Sequence, residues 1–369
     1  MQIRIMLGNG RLAVAIWDSV EFDEHEQVCL FSDEKTGLRV IVAVHSTALG
    51  AAGGGTRFKT YTSDAAAIDD ALRLSRAMSY KAALAGLPVG GGKAVIIGDP
   101  ARLKSRELLY AYGTFIDRLG GIFATGEDVG MGMADIDVVG EVTRFVGGTS
   151  MGSGDPSIHT AVGAVHGMRA VVERRFGRSE FAGLRFAIQG LGAVGMGLAE
   201  RLHAEGAHLL VADVRSDAVE SAVDRLGAEA VPVGEIHAAA ADVFCPCALG
   251  GVVTDATANE IRAAAVAGAA NNQLASASAG VRLAQRKILY APDYVMNAGG
   301  IISGITGGGD RQSRTGAPFP PLDESLAVIR HRLLDIFTRA ESEGRTPEVV
   351  AQNLACELIG RSPRATERC

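Results

Sequence analysis

The stretch Leu184-Arg-Phe-Ala-Ile-Gln-Gly190-Leu-Gly192-Ala-Val-Gly195 decides the fold of the second half of this chain. The apolar run before the glycines predicts a β-strand, and the residues from Met196 to Glu205 predict a helix. A second apolar run from His208 to Ala212 predicts another strand, and it ends at Asp213. The order strand, glycine turn, helix, strand and acid is the arrangement that binds a dinucleotide at a helix N-terminus.

Each residue of this pattern has a predicted task. We expect Gly190 to make the tight turn, Gly192 to let the backbone approach a pyrophosphate, and Gly195 to allow close packing of helix on strand. Asp213 can accept hydrogen bonds from the adenosine ribose hydroxyls, which favours NAD as the cofactor. Arg215 lies two residues further on. Because an arginine can accommodate a 2′-phosphate, some use of NADP stays open.

The rest of the second half predicts an α/β domain. Apolar runs at 228–233, 242–245, 264–267 and 288–290 alternate with helical patterns, which is typical of a parallel, doubly wound sheet. The turn residues of 148–156 predict a linker, followed by a helix over 160–176. We therefore expect an NAD-binding Rossmann-type domain over 148–324. We expect a substrate-binding and oligomerisation domain over 1–147, with the helical segment from about 325 to 369 packing back on it.

The first half contains a stretch with chemical potential, Lys81-Ala-Ala-Leu-Ala-Gly-Leu-Pro-Val-Gly-Gly-Gly-Lys93. A lysine at the edge of an apolar surface is partly desolvated, and a second lysine nearby adds repulsion. Both effects lower a lysine pKa, so that the amine can act as a general base. A glycine-rich turn between two solvated lysines is the alternative interpretation. Asp128 follows a short predicted strand at a position where α/β sheets present catalytic groups.

Composition narrows the class of protein. A length of 369 residues is typical of two or three domains, and the net charge of −6 argues against nucleic-acid binding. The five cysteines include no Cys-x-x-Cys pair, which argues against a disulfide framework or a structural metal site and favours a cytoplasmic protein. The apolar patch from Leu12 to Trp17 is too short for a membrane span.

Over nearly its whole length, from about residue 24 to about residue 337, the chain resembles the amino-acid dehydrogenase family. This family includes the glutamate, leucine, valine and phenylalanine dehydrogenases, and the resemblance is greatest to the leucine/phenylalanine branch. The motifs that carry it are Ser46-Thr-Ala-Leu-Gly50, Gly54-Gly-Thr-Arg57, Met78-Ser-Tyr-Lys81, Leu87-Pro-Val-Gly-Gly-Gly-Lys93, Thr125-Gly-Glu-Asp128-Val-Gly130, Gln189-Gly-Leu-Gly-Ala-Val-Gly195, Cys247-Ala-Leu-Gly-Gly251, Ala267-Gly-Ala-Ala-Asn-Asn272, Tyr290-Ala-Pro-Asp293 and Asn297-Ala-Gly-Gly300.

The resemblance implies reversible, NAD-dependent oxidative deamination of an L-amino acid to a 2-oxo acid and ammonium. It implies that Lys81 and the backbone at Gly54 bind the substrate carboxylate, that Lys93 is the general base, and that Asp128 exchanges protons at the amino nitrogen. It also implies a homo-oligomer. The cofactor-binding residues that it implies are Gly190, Gly192, Ala193, Val194, Gly195, Asp213, Thr160, Cys247, Ala248 and Asn271, the last of which would also orient the substrate.

The preferred amino acid stays open at this stage. The resemblance implies a side-chain pocket lined by Leu49, Met78, Gly126, Ile301 and Gly304. None of these residues is charged, which favours an apolar substrate over glutamate. The two glycines favour a bulky aromatic substrate such as phenylalanine or tryptophan, whereas most of the chain is slightly more similar to the leucine type. One methyl group changes selectivity by only about 1–3 kcal/mol.

Two other functions also use a bound NAD and can be compared with the residues of this sequence. A 2-hydroxy-acid dehydrogenase would need a histidine as acid and base, and His159, beside Thr160, is the nearest candidate. A non-catalytic NAD-binding protein would have no use for Lys81, Lys93 and Asp128 together.

Overall fold

The computed structural model describes residues 16–148, 155–306 and 319–363. These residues divide into two compact units. The first contains 16–83 and 88–148, and the second contains 84–87, 155–306 and 319–363. Most of the predicted linker over 148–156 lies outside the described residues, as does the segment 307–318.

The first unit is built on a mixed sheet. Its strands are β1 (Gln27–Asp33), β2 (Leu38–Ser46), β3 (Ala52–Lys59), β4 (Gly90–Ile97) and β5 (Phe123–Gly126). Among the described residues they form a five-stranded sheet in the order β1-β2-β4-β3-β5. β1 and β2 form an antiparallel hairpin, and β3 runs parallel to both of its neighbours. The carboxyl ends of β3, β4 and β5 therefore meet at one edge of the sheet.

Helices cover both faces of this sheet. They are α1 (Asp64–Leu84), α2 (Pro100–Leu103), α3 (Arg106–Arg118) and α4 (Met133–Gly140). Because side chains alternate along a strand, β2 sends Val40 and Val42 into one buried cluster with Tyr112 of α3. It sends Ile41 into a second cluster with Leu72 of α1. Each face of the sheet thus has its own core.

The three glycines before Lys93 belong to strand β4, so the alternative of a turn between solvated lysines is wrong. A Cβ atom at Gly90 would lie 2.1 Å from the Ser46 carbonyl oxygen. One at Gly91 would lie 2.1 Å from the Ser79 backbone nitrogen in α1. Only glycine lets the neighbouring chain segments approach this strand so closely.

The second unit is the predicted doubly wound domain. Its strands are β6 (Arg185–Gln189), β7 (His208–Ala212), β8 (Glu229–Ala230), β9 (Val243–Pro246), β10 (Ala265–Val266) and β11 (Leu289–Tyr290). In the described part of the unit they form a parallel sheet in the order β11-β10-β9-β6-β7-β8. The order reverses at β6, which is the position where this class of sheet binds ligands.

The helices of the second unit are α5 (Pro156–Phe176), α6 (Ala193–Ala204), α7 (Ser216–Leu226), α8 (Asp255–Glu260), α9 (Ala277–Gln285), α10 (Asp293–Met296), α11 (Gly299–Thr306), α12 (Leu322–Glu343) and α13 (Pro347–Leu358). Helix α5 begins one turn before the predicted start because Asp155 accepts a hydrogen bond from Ser157 N–H and Pro156 occupies the first helical position.

The C-terminal helices are grouped differently from the prediction, which assigned the segment from about 325 to the first domain. In the structure α12 belongs to the second unit. Ile329 and Leu333 of α12 pack where Gly163 and Gly167 of α5 leave room, since a Cβ atom at those glycines would lie 2.7 Å and 3.3 Å from their methyl carbons. Within the predicted helical segment, Gly344 adopts a positive φ and ends α12, and α13 follows.

No helix in the ranges that the structure describes is long and apolar enough to cross a membrane. Within the same ranges, no group of three or more histidine, cysteine and acidic side chains is arranged to hold a metal ion.

Candidate active site

Two cations of the first unit point to the same side of its sheet. Arg57 of β3 pairs with Val95 of β4, and Val95 packs on the α1 face. Lys93 lies two residues before Val95 on β4, so the strand alternation directs it to that face as well. The buried Phe58, next to Arg57, points into the core on the opposite face.

Asp128 is carried by the loop that follows β5. This loop is fixed to β3 because Phe58 N–H donates to the Val129 carbonyl at 2.8 Å. Gly130 adopts a φ of 80°, and a Cβ atom there would lie 2.0 Å from the Phe58 carbonyl oxygen. The close approach of loop and strand sets the Asp128 carboxylate at the carboxyl edge of the sheet.

The structure brings the Lys93 and Asp128 side chains together. Lys93 Nζ lies 2.5 Å from Asp128 Oδ2. The two side chains are 8% and 17% exposed, so the pair is largely removed from water. Removing two charges from water costs free energy, so a buried ion pair is weak evidence for a role in stabilising the fold. Buried titratable groups with shifted pKa values are characteristic of functional sites.

Burial and the neighbouring charges together determine the ionisation of this pair. Desolvation lowers the pKa of Lys93, and the neighbouring Arg57 charge lowers it further, while Asp128 opposes both effects. For Asp128 burial acts in the opposite direction, but the positive charges of Lys93 and Arg57 outweigh it and hold the pKa below its usual value. The pair combines a lysine that gives up its proton readily with a carboxylate that stays ionised.

A further set of residues beside this pair was missed by the sequence analysis. Arg57 Nε donates to Asp128 Oδ2 at 3.2 Å, and its terminal nitrogen donates to Asp70 Oδ2 at 3.1 Å. Asp70 also accepts hydrogen bonds of 2.7 Å from Tyr61 and from Arg73. Arg57 closes the Gly54-Gly-Thr-Arg57 motif, which was the only signal of its role. The partners on α1 have no recognisable motif.

The other predicted residues of the first unit lie on elements near this group. Met78 and Lys81 are three residues apart on α1 and therefore share one face of that helix. Gly54 is on β3, and a Cβ atom there would lie 1.8 Å from the Gly92 carbonyl oxygen. Leu49 lies in the turn between β2 and β3, and Gly126 ends β5.

The three glycines of the turn in the second unit differ in the space around them. Gly190 has a φ of 100°, and a Cβ atom there would lie 2.6 Å from Ala248 Cβ. One at Gly195 would lie 2.0 Å from the Gly190 carbonyl oxygen. At Gly192, in contrast, no atom of the described residues lies within 4 Å of the Cβ position. Gly190 and Gly195 are required by packing, whereas Gly192 leaves space above the backbone at the start of α6.

A cavity of about 470 Å³ opens above this turn. Its lining consists of Gly190, Leu191, Gly192, Ala193, Met196, Asp213, Arg215, Cys247, Ala248 and Leu249. Exposed backbone at a helix N-terminus on one side and a carboxylate on the other fit the pyrophosphate and the adenosine ribose of a dinucleotide. The residues present therefore fit NAD.

Asp213 is held in place by backbone groups. Its Oδ2 accepts from Leu191 N–H at 2.6 Å and its Oδ1 accepts from Arg215 N–H at 2.9 Å. Although burial alone would raise the pKa of Asp213, these hydrogen bonds lower it. The Arg215 side chain donates to the Leu191 carbonyl oxygen at 3.0 Å. The carboxylate is thus ionised and oriented toward the cavity by the same turn that forms the cavity floor.

The remaining predicted residues of the second unit lie at the ends of β10 and α5. Asn271 is exposed, and its Oδ1 accepts from Asn297 Nδ2 at 2.7 Å. Asn297 is 5% exposed and was not given a role from the sequence. Because this hydrogen bond occupies the Asn271 oxygen, the Asn271 amide nitrogen is left to donate elsewhere.

Thr160 lies on the first turn of α5, and its hydroxyl donates to the Pro156 carbonyl oxygen at 2.8 Å. Gly299 and Gly300 let α11 approach this turn, since Cβ atoms there would lie 2.1 Å from His159 O and 2.8 Å from Thr160 Oγ1. Ile301 and Gly304 follow on α11.

Family models match both units. Residues 25–144 match the model described as Glu/Leu/Phe/Val dehydrogenase, dimerisation domain. Residues 210–357 match the model described as Glutamate/Leucine/Phenylalanine/Valine dehydrogenase. The chain belongs to this family of amino-acid dehydrogenases. The predicted family membership and the predicted α/β fold, with a Rossmann-type domain after an N-terminal α/β domain, are therefore confirmed.

Relatives within the family extend over most of the chain. Valine dehydrogenase from Streptomyces albus is 46% identical over 90% of this chain and 91% of its own length. Leucine dehydrogenase from Bacillus cereus is 45% identical over 79% of this chain and 81% of its own length. Among solved structures, L-tryptophan dehydrogenase from Nostoc punctiforme superimposes with a TM-score of 0.81 at 38% identity, over 91% of this chain and 96% of that chain.

Proposed function

We propose that this amino-acid dehydrogenase catalyses the NAD-dependent, reversible oxidative deamination of an apolar L-amino acid. The balanced reaction converts amino acid, NAD⁺ and water to 2-oxo acid, ammonium, NADH and a proton. The observation that carries the proposal is the buried pair of Lys93 and Asp128, in which burial lowers the pKa of the lysine. Such a pair suits a reaction that must activate water and move protons at nitrogen.

NAD supplies the acceptor for the hydride that leaves the α-carbon. The backbone at Gly192 and Ala193 would hold its pyrophosphate at the start of α6, and Asp213 would accept from its ribose hydroxyls. Thr160, Cys247, Ala248 and Asn271 are proposed to contact it as well. The open space at Gly192 and the cavity above the turn support this assignment.

The residues of the first unit perform the acid–base steps in this proposal. Lys81 and the backbone at Gly54 bind the α-carboxylate, which fixes the amino acid for reaction. Lys93, as the neutral amine, takes a proton from the water that adds to the iminium carbon. Asp128, ionised at the start, accepts a proton from the amino nitrogen and returns one when ammonia leaves. The lowered pKa of Lys93 favours the neutral amine and the lowered pKa of Asp128 favours the carboxylate, which supports these two roles.

The substrate is proposed to be apolar, with leucine, valine or isoleucine on one side and phenylalanine or tryptophan on the other. Names of relatives include valine, leucine and tryptophan dehydrogenases, so the family accommodates both kinds of side chain. Among the described residues, no atom lies within 4 Å of a Cβ atom built at Gly304, whereas at Gly126 the Gly147 carbonyl oxygen lies 3.0 Å away. The small residue at position 304 therefore favours a bulky substrate.

Incubation of the purified protein with NAD and a panel of L-amino acids, followed by NADH absorbance, tests the proposal. We expect reduction with apolar L-amino acids and none with their D-enantiomers, which serve as the matched control. We also expect the reverse reaction from the 2-oxo acid only when ammonium is present. Reduction with 2-hydroxy acids alone would replace this function by hydroxy-acid oxidation. Binding of NAD without turnover of any substrate would replace it by nucleotide sensing.

We further propose that the chain forms a homo-oligomer through the first unit. The dimerisation-domain model matches this unit, and β1 lies at one edge of its sheet, where Leu30 is 60% exposed. An exposed apolar edge strand is suited to pairing with a second copy. Light scattering should give a smaller particle for Leu30→Lys than for the control Val281→Lys on α9. Equal masses for the two variants would remove β1 from the interface.

A further inference from the structure

Arg57 connects two carboxylates that come from different elements. Its Nε contacts Asp128 Oδ2 at 3.2 Å and its terminal nitrogen contacts Asp70 Oδ2 at 3.1 Å. The three side chains are between 11% and 19% exposed, so solvent screens these contacts only weakly. The planar guanidinium can donate in two directions at once, which a lysine ammonium on a flexible chain does less well.

The side of Arg57 away from Asp128 is anchored. Asp70 accepts 2.7 Å hydrogen bonds from the Tyr61 hydroxyl and from Arg73, in addition to its bond with Arg57. The charges of Arg57 and Arg73 and the hydrogen bond from Tyr61 outweigh burial and lower the pKa of Asp70. Asp70 is therefore a fixed, ionised partner, and it holds the guanidinium in one orientation toward Asp128.

The side of Arg57 that faces Asp128 meets the predicted catalytic pair. Asp128 Oδ2 is shared, since Lys93 Nζ lies 2.5 Å from the same oxygen that Arg57 contacts. Two cations on one carboxylate oxygen repel each other. Because arginine does not lose its proton under ordinary conditions, the repulsion favours the neutral form of the lysine. The charged and titratable groups around Arg57 come from β4, α1, the loop after β5 and the loop after β3, and they are Lys93, Asp70, Arg73, Asp128 and Tyr61.

We propose that Arg57 is a positioning residue of the deamination reaction. Its guanidinium, anchored by Asp70, holds the Asp128 carboxylate against the Lys93 amine and disfavours a second positive charge at that place. Arg57 acts through these two groups and does not itself contact the substrate. The inference rests on the proposed function, because it assigns to Arg57 the task of preparing Lys93 and Asp128 for proton transfer.

The test compares the pH dependence of kcat for three variants with that of the native protein. Arg57→Met removes the charge and both contacts. Arg73→Gln is the matched control, because it removes an arginine that contacts Asp70 but not Asp128. Arg57→Lys keeps the charge but cannot make the forked contact. At saturating NAD and amino acid, kcat reports the bound complex, so that ionisation of the free amino acid does not enter.

We expect the acidic limb of the kcat profile to move to higher pH in Arg57→Met by about one pH unit, because the lysine then holds its proton more strongly. The plateau value of kcat should fall about tenfold or more, as expected when a proton-transferring group loses its orientation. Arg57→Lys should restore the position of the limb while the plateau stays low. Arg73→Gln should displace the limb much less than Arg57→Met does, because it removes one contact of Asp70 but leaves the contact between Arg57 and Asp128 in place.

An acidic limb of Arg57→Met that coincides with the native limb would overturn the inference. So would equal displacement in the Arg73→Gln control, since that would reflect general loss of positive charge. If Arg57→Met does not fold, Arg57→Lys decides alone, and a native plateau in that variant would reject the positioning role. Absence of NADH formation by the native protein with every apolar L-amino acid would instead refute the proposed function, which keeps the two failures distinct.

Discussion

Lys93 Nζ and Asp128 Oδ2 are 2.5 Å apart although both side chains are largely buried. Replacing a buried ion pair by apolar residues is often neutral or stabilising, so such a pair is weak evidence for a structural role. Here the lysine lies on a strand that requires three glycines to pack, and the aspartate lies in a loop tied to the next strand. These local constraints place a lysine with a lowered pKa beside a carboxylate that stays ionised.

Lys93→Ala should abolish most turnover while NAD binding is retained. A general base contributes about 100- to 10,000-fold to a rate, and kcat should fall by this order. Binding of NAD should not change, because the proposed cofactor contacts all lie in the second unit. NADH absorbance measures the first quantity and fluorescence titration with NADH the second.

The control for this substitution is Lys104→Ala. Lys104 is a half-buried lysine of the same unit, and its ion pair is with Asp135 at 2.7 Å. Its loss should leave kcat within about twofold of native, as expected for a group outside the proton-transfer pair. Native turnover in Lys93→Ala would remove this lysine from the mechanism.

The parts of the fold that could be predicted from the sequence are those encoded by a pattern of neighbouring residues. The order of strand, glycine turn and helix around Gly190 is encoded within a few residues, and the structure has it as predicted. The C-terminal helices show the opposite case. Their amphipathic pattern predicts a buried face but not its partner, and the partner proved to be α5, where Gly163 and Gly167 leave room for Ile329 and Leu333.

The candidate site divides in the same way. Lys93 and Asp128 lie in motifs that resemble those of the family, so the sequence alone indicated both residues. Asp70 and Tyr61 lie in no motif, and only the packing of α1 on the sheet brings them to Arg57. Asn297 lies in a motif, but its hydrogen bond to Asn271 joins residues 26 apart in the chain. Contacts of this kind cannot be read from spacing along one element.

Gly192→Ala should weaken NAD binding without changing stability. Its Cβ atom would meet nothing in the protein itself but would occupy the space above the backbone where the pyrophosphate is proposed to lie. One extra methyl group in a close-fitting site costs about 10- to 200-fold in affinity. Titration of NADH fluorescence measures the affinity, and thermal unfolding without cofactor measures the stability.

Gly195→Ala is the matched substitution with the opposite expectation. Its Cβ atom would lie 2.0 Å from the Gly190 carbonyl oxygen, so the protein must deform even without a ligand. Overpacking of this kind lowers the free energy of unfolding by about 1–3 kcal/mol, and Tm should fall. Equal NAD affinities for native protein and Gly192→Ala would contradict the proposed pyrophosphate position.

Gly304→Val should shift substrate preference toward smaller aliphatic amino acids. No atom of the described residues lies within 4 Å of a Cβ atom at this position, so we expect the two added methyl groups to be tolerated and to project into the proposed pocket. Each methyl group changes discrimination by about 1–3 kcal/mol, so the ratio of kcat/KM for phenylalanine over valine should fall about tenfold or more. Adding Gly126→Ala should reinforce the shift, although its Cβ atom must displace the Gly147 carbonyl oxygen slightly.

Gly234→Val is the control, because Gly234 also has open space in the second unit but belongs to no predicted pocket. It should leave the phenylalanine-to-valine ratio unchanged. If Gly304→Val also leaves the ratio unchanged, Gly304 does not line the substrate pocket.

The buried His25 should make the protein less stable in acid. His25 is 8% exposed, and its Nε2 lies 3.0 Å from both Leu72 O and Ser75 Oγ. Burial, followed by the charge of the neighbouring His45, lowers the pKa of His25 from 6.5 to about 3. Between pH 6.5 and pH 3 the unfolded chain therefore binds a proton at this site that the folded chain does not, so stability falls as pH falls.

A pKa that differs by one unit corresponds to 1.36 kcal/mol, so that about 2 kcal/mol should be lost between pH 6.5 and pH 5 through His25. In His25→Gln, urea unfolding should show a loss between pH 7 and pH 5 that is smaller by about this amount. Stability at pH 7 should itself be lower, because glutamine replaces the ring imperfectly between Leu72 and Ser75. His208→Gln, at an exposed position of β7, should keep the native pH dependence. If His25→Gln and native protein lose equal stability on acidification, the acid sensitivity of the first unit arises elsewhere, and the contacts of His25 serve packing alone.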